Sequence, residues 1–347
     1  MAIVSLRSVV RIARAGHLGA RVRAIRDGQA ALRVAALHAG LRSGVLAALR
    51  TPRTVPDLAA RLGTSEEELL TAFVRVLVAH GVVTRTPAGY LLTRRGAAVL
   101  DDGVVRAGYE AFGGFHGDVY RDMADELRGR TRRRDVVENA DVIARLSSAM
   151  APLVEAALAR EVDAAGPRRL LDVGCGDGTH LRRLLMDAPG ADGVGVEVDD
   201  ATAAVAERAL AEAGLSARAS VERGDVGALV RAGRVEGPFG LVLLANVLYY
   251  VPPAERVALL ASLAGLLAPG GRLVVVTTTA DDSPFSRHFD LLLRAQDPPM
   301  ALPRAADVVD ACARGGLELV TRRRIAPGDP LYLVSARRPA GTSTPPG

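Results

Sequence analysis

Three glycines at alternate positions, Gly174, Gly176 and Gly178, follow an apolar run that contains one acid, Asp172. The run has the character of a central parallel strand, and a helix is predicted after the turn, from about residue 180 to 186. Glycine lacks the Cβ that would block close approach of a ligand to the backbone. A helix N-terminus presents its free amides to the same space. The segment therefore predicts a site where a ligand contacts the main chain.

The glycine spacing and two further acids narrow the class of ligand. A dinucleotide fingerprint would place its third glycine at position 179, where this chain has Thr179. A second short predicted strand ends in Glu197, where a doubly wound fold places a carboxylate for ribose hydroxyls. A third ends in Asp225. The acids therefore predict a ligand that contains a ribose, and the glycine spacing argues against a dinucleotide.

Two more predicted strands complete the pattern. One, residues 239–245, leads into Asn246, and the other follows the turn Pro269-Gly270-Gly271. The whole resembles the class I S-adenosylmethionine-dependent methyltransferases. That resemblance implies an α/β Rossmann-like domain of seven strands, closed by a reversed hairpin at residues 317–336. It also implies that S-adenosylmethionine is bound by a set of residues at the strand ends: Asp172, Gly174, Cys175, Gly176, Gly178, Glu197, Val198, Gly224, Asp225, Val226, Ala245 and Asn246.

An α-helical domain is predicted ahead of the methyltransferase domain, over residues 31–102. A capped helix begins at Thr54, and Thr64-Ser-Glu-Glu67 has the form of a capping box for a longer helix that reaches His80. Two short strands follow, and this order is that of a winged helix. Alone, a winged helix suggests a DNA-binding regulator that senses the cofactor.

Because it precedes a methyltransferase domain, however, the winged helix of this chain resembles the N-terminal dimerisation domain of small-molecule O-methyltransferases, including those of bacterial natural-product pathways. Glu66, Glu67 and Glu68 begin the presumed recognition helix and would repel phosphates. We therefore expect a homodimer and no nucleic-acid partner, and the DNA-binding regulator is the alternative.

The remaining segments are assigned by composition. Residues 1–30 form a basic extension, with Arg7, Arg11 and Arg14 on one face of a helix, and arginines interrupt any secretory signal. We expect this extension to pack on protein, and a membrane-surface helix is the alternative. Residues 103–165 are predicted to be connecting helices that cover the active site, including one at 119–127 and one at 141–159. The methyltransferase domain spans 166–338, and the tail, 339–347, is predicted to be disordered.

Composition sets limits on partners and compartment. The chain has 347 residues with a net charge of +5, and because it contains no lysine all 44 Lys/Arg positions are arginine. Such a bias is typical of a GC-rich genome, so the basicity is weak evidence for nucleic-acid binding. Two cysteines suit a reducing, cytoplasmic compartment. No apolar run has the length that crossing a bilayer requires, so no membrane insertion is expected.

The acceptor chemistry is left open by one departure from the family. Plant-type O-methyltransferases carry a catalytic histidine just after their fourth strand, and Tyr249 stands there in this chain. The Asp/Asn-Pro-Pro-aromatic signature of base-amino methylation is also missing. Either the acceptor oxygen is already ionised, as in a carboxylate, or a base comes from His288, in a loop of the insertion 278–303, or from His116.

Aromatic side chains of the connecting region and the insertion are the candidates for holding the acceptor. The predicted acceptor is a small molecule or peptide of specialised metabolism, methylated on oxygen with no metal. A catalytically dead scaffold is disfavoured by the intact acids. The expected substrate-binding residues are Tyr109, Phe112, Phe115, Tyr120, Tyr250 and Phe289.

Overall fold

The computed structural model describes residues 16–129 and 133–340, which divide into two compact units. The described part of the first unit is 16–129 and 135–149, and that of the second is 133–134 and 150–340. The arginines predicted on the N-terminal helix and the tail beyond residue 340 lie outside the described residues. The main segment of the second unit begins at Met150, within the stretch predicted to be connecting helices.

The first unit is helical with one β-hairpin, as the sequence predicts. A single helix crosses the boundary predicted at residue 30. The antiparallel hairpin pairs β1 with β2. Its elements are α1 (Leu18–Arg42), α2 (Val45–Ala48), α3 (Val55–Leu62), α4 (Glu67–Ala79), β1 (Val83–Thr86), β2 (Gly89–Leu92), α5 (Arg94–Asp101), α6 (Gly103–Gly113), α7 (Phe115–Arg121), α8 (Met123–Glu126), α9 (Asp135–Glu138) and α10 (Ala140–Ser147).

The two predicted helix caps of this unit have different outcomes. At α3, the Thr54 hydroxyl accepts from the Asp57 amide and the Asp57 carboxylate accepts from the Thr54 amide, so the predicted cap is present as a full capping box. The capping box predicted at Thr64 is wrong. The Thr64 hydroxyl accepts from Glu66 at 3.1 Å, which forms a local turn, and α4 begins only at Glu67 without a side-chain cap.

The second unit is built on a seven-stranded sheet in the order β5-β4-β3-β6-β7-β9-β8. The first five strands pair in parallel, and β9 pairs antiparallel with both β7 and β8, which confirms the reversed edge hairpin. Its elements are α11 (Ala151–Ala165), β3 (Arg169–Val173), α12 (Thr179–Asp187), β4 (Asp192–Glu197), α13 (Asp200–Glu212), β5 (Ala219–Arg223), α14 (Val226–Arg231), β6 (Phe239–Ala245), α15 (Arg256–Gly265), β7 (Leu267–Thr278), α16 (Pro284–Arg294), α17 (Ala305–Arg314), β8 (Glu318–Arg324) and β9 (Leu331–Arg337).

Alternate residues of the central strands bury opposite faces of the sheet, as the pleat requires. On β3, Leu170 packs with the helices α11 and α12, whereas Leu171 packs with α14, α15 and α17. On β6, Leu243 and Leu244 divide in the same way. Both faces are covered, so the central strands are nearly continuous apolar runs. This core holds the C-terminal ends of β3, β4 and β6 side by side.

Two predicted helices of the connecting region are interrupted. The helix predicted at 119–127 is divided at Asp122, between α7 and α8. The one predicted at 141–159 is divided by a 3-10 turn, Ser148–Met150, before α11 begins with Pro152 in its first turn. Proline lacks the amide that would continue a helix but fits its first turn. The sequence-based boundaries missed this restart.

The expectation about membrane spans also needs correction. Residues 140–165 contain an 18-residue window of mean hydropathy 1.4, which is long and apolar enough to cross a membrane by length and composition alone. Within this segment, Leu158 and Val162 pack into the core of the sheet. Glu161 is buried and pairs with Arg272 at 2.8 Å. The C-terminal part of this segment, α11, therefore packs one face against the sheet.

Candidate functional site

The glycine turn closes against the end of β4. The amides of Gly174 and Cys175 both donate to the Val196 carbonyl, at 2.8 and 3.0 Å, and the Gly178 amide donates to the Cys175 carbonyl. Cys175 is buried, and burial raises the pKa of its thiol, so it packs as a neutral side chain. The turn is thereby fixed at the point where the strand order reverses, which is where open α/β sheets bind ligands.

Gly176 is the point of the turn open to a ligand. It has φ of 57°, and a Cβ added there would meet no atom within 4 Å. Its amide donates to Glu197 Oε2 at 3.0 Å. The left-handed backbone explains why glycine stands here, and the empty space leaves room for a ligand to approach the main chain.

Glu197 is buried at the end of β4, and backbone amides donate hydrogen bonds to both oxygens of its carboxylate. Oε1 accepts from Val198 at 2.9 Å and from Asp199 at 3.1 Å, and Oε2 accepts from Gly176. A carboxylate oxygen has two lone pairs. Oε2 therefore has room for one further donor, such as a single ribose hydroxyl, while its other bonds hold the turn in place.

Asp172 lies beneath the turn and is completely enclosed. It is 1% exposed, and its Oδ2 has no hydrogen-bond partner. Burial, together with the negative charges of Glu197 and Asp177, raises the pKa of Asp172 to about 7. A hydrogen-bond donor or a cation placed at Oδ2 would stabilise the ionised carboxyl.

The end of β5 carries the third predicted acid. The Gly224 amide donates to the Glu197 carbonyl at 2.9 Å, which ties β5 to β4. Asp225 caps α14, because its Oδ1 accepts from Ala228 at 2.8 Å and Oδ2 is left for a ligand. Val226 is buried, whereas Val198 is 70% exposed at the end of β4. The exposed Val198 is the side chain able to cover a flat ligand.

The chain leaves β6 through a left-handed residue. Asn246, which follows Ala245, has φ of 57°, and its amide donates to the Val276 carbonyl at 2.7 Å. Asparagine tolerates this conformation better than most residues. The next side chain, Val247, fills the place of a Cβ on Gly174: such an atom would lie 2.4 Å from Val247 Cγ2. Sequence reasoning missed Val247, since only the folded turn brings it to Gly174.

An aromatic cluster stands beside this exit. Residues Leu248–Tyr250 form a 3-10 turn, and the rings of Tyr249 and Tyr250 lie 4.6 Å apart. Phe289 meets Tyr249 edge-on at 5.6 Å and stacks on Phe285 at 6.1 Å. Three predicted residues thus come together, and Phe285 was not among those expected to bind substrate. Its spacing of four from Phe289 on one helix would have indicated it.

Helix α16 replaces the loop predicted around His288. Ser286 anchors it: its hydroxyl donates to the Thr279 carbonyl at 2.8 Å and accepts from the Asp281 amide at 2.9 Å. His288 therefore lies on a helix, one residue before Phe289. Burial lowers the pKa of His288, so its imidazole is neutral near pH 7 and able to accept a proton.

The other predicted residues lie in the first unit. The rings of Phe112 and Phe115 lie 4.9 and 4.6 Å from that of His116. Phe115 and His116 are buried, and Phe112 is largely exposed. Tyr109 packs against the core of that unit, and Tyr120 is exposed on α7. Their assignment to an acceptor pocket stays a prediction.

Comparison with known proteins identifies the family. A family model described as a methyltransferase domain matches residues 170–271, which include the glycine turn and the three strand-end acids. The chain is 30% identical over 258 residues to the 3-amino-4-hydroxybenzoate 4-O-methyltransferase of Streptomyces cremeus, an alignment that covers 70% of this chain and 68% of that protein. The chain belongs to the S-adenosylmethionine-dependent methyltransferases.

Other relatives of the chain differ in how much of their length it spans. It is 27% identical over 305 residues to the demethylspheroidene O-methyltransferase of Cereibacter sphaeroides, covering 82% of this chain and 77% of that protein. It is 32% identical over 204 residues to the release factor glutamine methyltransferase of Rhodospirillum rubrum. That alignment covers 56% of this chain, and the chain spans only 58% of that relative's length.

Solved structures show the same fold along nearly the whole methyltransferase. The mitomycin 7-O-methyltransferase MmcR has a TM-score of 0.75 at 22% identity, over 94% of this chain and 99% of that one. The structure of PigF with SAH has a TM-score of 0.72 at 20% identity, over 91% and 99%. At such identities the similarity shows the fold alone. It confirms the helical N-terminal unit and the seven-stranded sheet, and the DNA-binding alternative gains no support.

Proposed function

We propose that this methyltransferase binds S-adenosylmethionine at the C-terminal edge of its sheet and catalyses methyl transfer to an oxygen of a small-molecule or peptide acceptor of specialised metabolism. One observation carries the proposal: the Glu197 carboxylate holds the glycine turn that follows β3, and the buried Asp172 of that strand has no hydrogen-bond partner at Oδ2. The demethylspheroidene and 3-amino-4-hydroxybenzoate O-methyltransferases among its relatives support the type of acceptor.

The residues at this edge fit the cofactor. Glu197 Oε2 has one acceptor position for a ribose hydroxyl, and Asp225 Oδ2 can accept from the adenine amino group. Gly176 leaves the backbone open, and Asp172 Oδ2 lacks a donor. When bound, the cofactor supplies an activated methyl group on a positively charged sulfur. The protein must then align the acceptor oxygen with the methyl carbon, opposite the sulfur.

The acceptor oxygen must be ionised before or during its attack. It forms the new bond to carbon, and the electron pair of the carbon–sulfur bond leaves with sulfur. Burial raises the pKa of Tyr249 well above its ordinary value, so Tyr249 is not a base at neutral pH. We favour a carboxylate or another oxyanion, which needs no base. A phenol deprotonated by His288, or by His116, is the second candidate, because His288 is neutral.

The pH dependence of the rate separates these two acceptors. With labelled cofactor, carboxylate methylation should stay nearly flat from about pH 6 to 9, because the nucleophile is ionised throughout. Phenol methylation should rise with pH, and either His288→Ala or His116→Ala should lower kcat about a hundredfold. A steep profile abolished by one histidine substitution would overturn the preference for an oxyanion. If neither a carboxylate nor a phenol gives a labelled product, the proposed function itself is wrong.

We also propose that the protein is a homodimer through a first unit of the winged-helix type, and that it works in the cytoplasm. Helix α1 supports the dimer, because it exposes an apolar stripe along one face. Leu18, Val22, Ile25 and Leu32 are spaced by four, three and seven residues, and between 43% and 67% of each is exposed. Such a stripe on a long helix suits burial against a second copy.

Light scattering on the full chain tests the dimer. Ile25→Glu combined with Leu32→Glu should convert it to a monomer. Ala20→Glu, on the opposite face of the same helix, should leave the mass unchanged. A wild-type chain with the mass of a monomer would refute the dimer, and salt-sensitive binding to duplex DNA would favour the regulator.

A further inference from the structure

Strand β4 carries glycine at two alternate buried positions, Gly193 and Gly195. Neither residue has a left-handed backbone, so the conformation alone would allow alanine at both positions. Glycine inside a strand weakens the strand and often marks a place where another part of the chain approaches closely. The space around each glycine therefore shows what the strand accommodates.

The two glycines accommodate different neighbours. A Cβ added to Gly195 would lie 2.7 Å from Cys175 Sγ, 3.2 Å from Cys175 Cβ and 3.1 Å from the end of Leu181. A Cβ added to Gly193 would lie 2.9 Å from the end of Leu181 and 3.0 Å from that of Leu185, both on α12. Both positions are crowded, but only Gly195 faces the glycine turn.

Cys175 is held where it meets Gly195. Its amide donates to the Val196 carbonyl at 3.0 Å, and its carbonyl accepts from the Gly178 amide at 2.9 Å. Rotation about the Cα–Cβ bond of Cys175 would carry Sγ away but would leave its Cβ in place, 3.2 Å from the added atom. A methyl group at position 195 would therefore push the backbone of the turn and that of β4 apart.

The same face of β4 holds the turn two residues further along. Side chains alternate along a strand, so Glu197 projects to the same face as Gly195. The Glu197 carboxylate accepts from the Gly176 amide at 3.0 Å, and Gly176 directly follows Cys175. The turn is thus seated on β4 by two neighbouring contacts, one at the missing Cβ and one through a hydrogen bond.

We infer that Gly195 is a positioning residue of the cofactor site: the space left by its missing Cβ receives the Cys175 side chain. This lets the Gly176 amide reach Glu197. The inference rests on the proposed function, because the cofactor is expected to bind on this turn. A methyl group at position 195 would lift the turn, weaken the hydrogen bond from Gly176 and displace the Glu197 oxygen that would receive the ribose hydroxyl. Gly195 acts through Cys175 and Gly176.

Calorimetry with S-adenosylmethionine tests the inference on a matched pair of variants. Gly195→Ala should weaken the affinity about tenfold, which corresponds to the loss of one hydrogen bond at the site. Gly193→Ala is the control on the same strand and face, and its affinity should stay within about twofold of the wild type, because flexible leucine ends accommodate its methyl group. Both variants should unfold at lower urea concentration, so a merely structural effect would be common to both.

A compensating substitution tests the contact itself. Cys175→Ala removes the Sγ atom that would lie 2.7 Å from the added Cβ. In the Cys175→Ala background, Gly195→Ala should weaken the affinity less than about threefold. A loss of about tenfold in both backgrounds, or an equal loss in Gly193→Ala, would overturn the inference. If Gly195→Ala does not fold, restoration of the fold by Cys175→Ala supports the inference, and failure to restore it overturns the inference.

Amide hydrogen exchange gives a readout that needs no cofactor. The amides of Cys175 and Gly176 should exchange about tenfold faster in Gly195→Ala than in the wild type, because their hydrogen bonds to β4 weaken. Exchange should be unchanged in Gly193→Ala and slower again once Cys175→Ala is added to Gly195→Ala. Equal exchange in all variants would contradict the role of Gly195. If exchange follows the expected order but the wild type does not bind S-adenosylmethionine, the proposed cofactor is wrong while the role of Gly195 stands.

Discussion

Replacing Asp172 with asparagine should change how the stability of the protein depends on pH. The pKa of Asp172 is raised from 3.8 to about 7, first by burial and then by the charge of Glu197. Because the folded-state pKa lies above the unfolded one, the unfolded chain binds fewer protons, and stability is lost as pH rises between these values. Asparagine has a similar shape but cannot ionise, so the variant should lack this loss.

The size of the effect follows from the two pKa values. One pKa unit corresponds to about 1.4 kcal/mol, so the raised pKa of Asp172 costs about 2 kcal/mol of stability at pH 5 and about 4 kcal/mol at pH 8. The free energy of unfolding of Asp172→Asn, relative to the wild type, should therefore be roughly 2 to 3 kcal/mol higher at pH 8 than at pH 5. Urea unfolding followed by circular dichroism at both pH values measures this difference.

A matched control and a second assay make the test sharp. Asp192→Asn, at the exposed start of the neighbouring strand β4, should leave the pH dependence of stability unchanged. A cofactor with a positive charge favours ionised Asp172, so the wild-type affinity should rise by up to about a hundredfold between pH 5 and 8, while that of Asp172→Asn stays flat. If the wild type and Asp172→Asn show parallel curves of stability against pH, Asp172 is not the titrating group and the reasoning is refuted.

Three further substitutions test the packing of the site and the sheet. Glu197→Gln should weaken cofactor binding about ten- to a hundredfold in calorimetry, because an ionised acceptor is lost, and unchanged affinity would exclude the ribose role. Gly174→Ala should lower the free energy of unfolding in urea by on the order of 2 kcal/mol, because Gly174 has φ of 68° and a crowded Cβ position. Gly190→Ala is the control and should leave it unchanged, because a Cβ there meets nothing within 4 Å. Arg272→Leu should lower the free energy of unfolding by about 3–5 kcal/mol, because the buried carboxylate of Glu161 loses its charge partner. Arg337→Leu removes an exposed ion pair and should lower it by less than about 1 kcal/mol. Equal costs would contradict this.

The local pattern of the second unit was sufficient to predict its fold. Apolar strands ending in Asp172, Glu197 and Asp225, with a glycine turn after the first, specify a parallel sheet and its ligand-binding edge, because each signal lies within about ten residues. The bounds of Phe239–Ala245 agree with the prediction, but the strand expected after Pro269-Gly270-Gly271 begins earlier, at Leu267, and contains those residues. The errors fell where local signals compete: the Thr64 hydroxyl bonds within its own turn, and Pro152 restarts a helix.

Only the tertiary structure decided what the predicted residues are able to do. The sequence placed Tyr249 at a catalytic position, but packing against Phe289 buries it and leaves Tyr250 exposed. Likewise, the pKa of Asp172 depends on the carboxylate of Glu197, which comes from the next strand along the chain. Burial, charge proximity and hydrogen-bond direction arise between segments that are distant along the chain. Residue type and spacing therefore predict where the site lies, and the contacts made in the folded chain determine which side chains can act there.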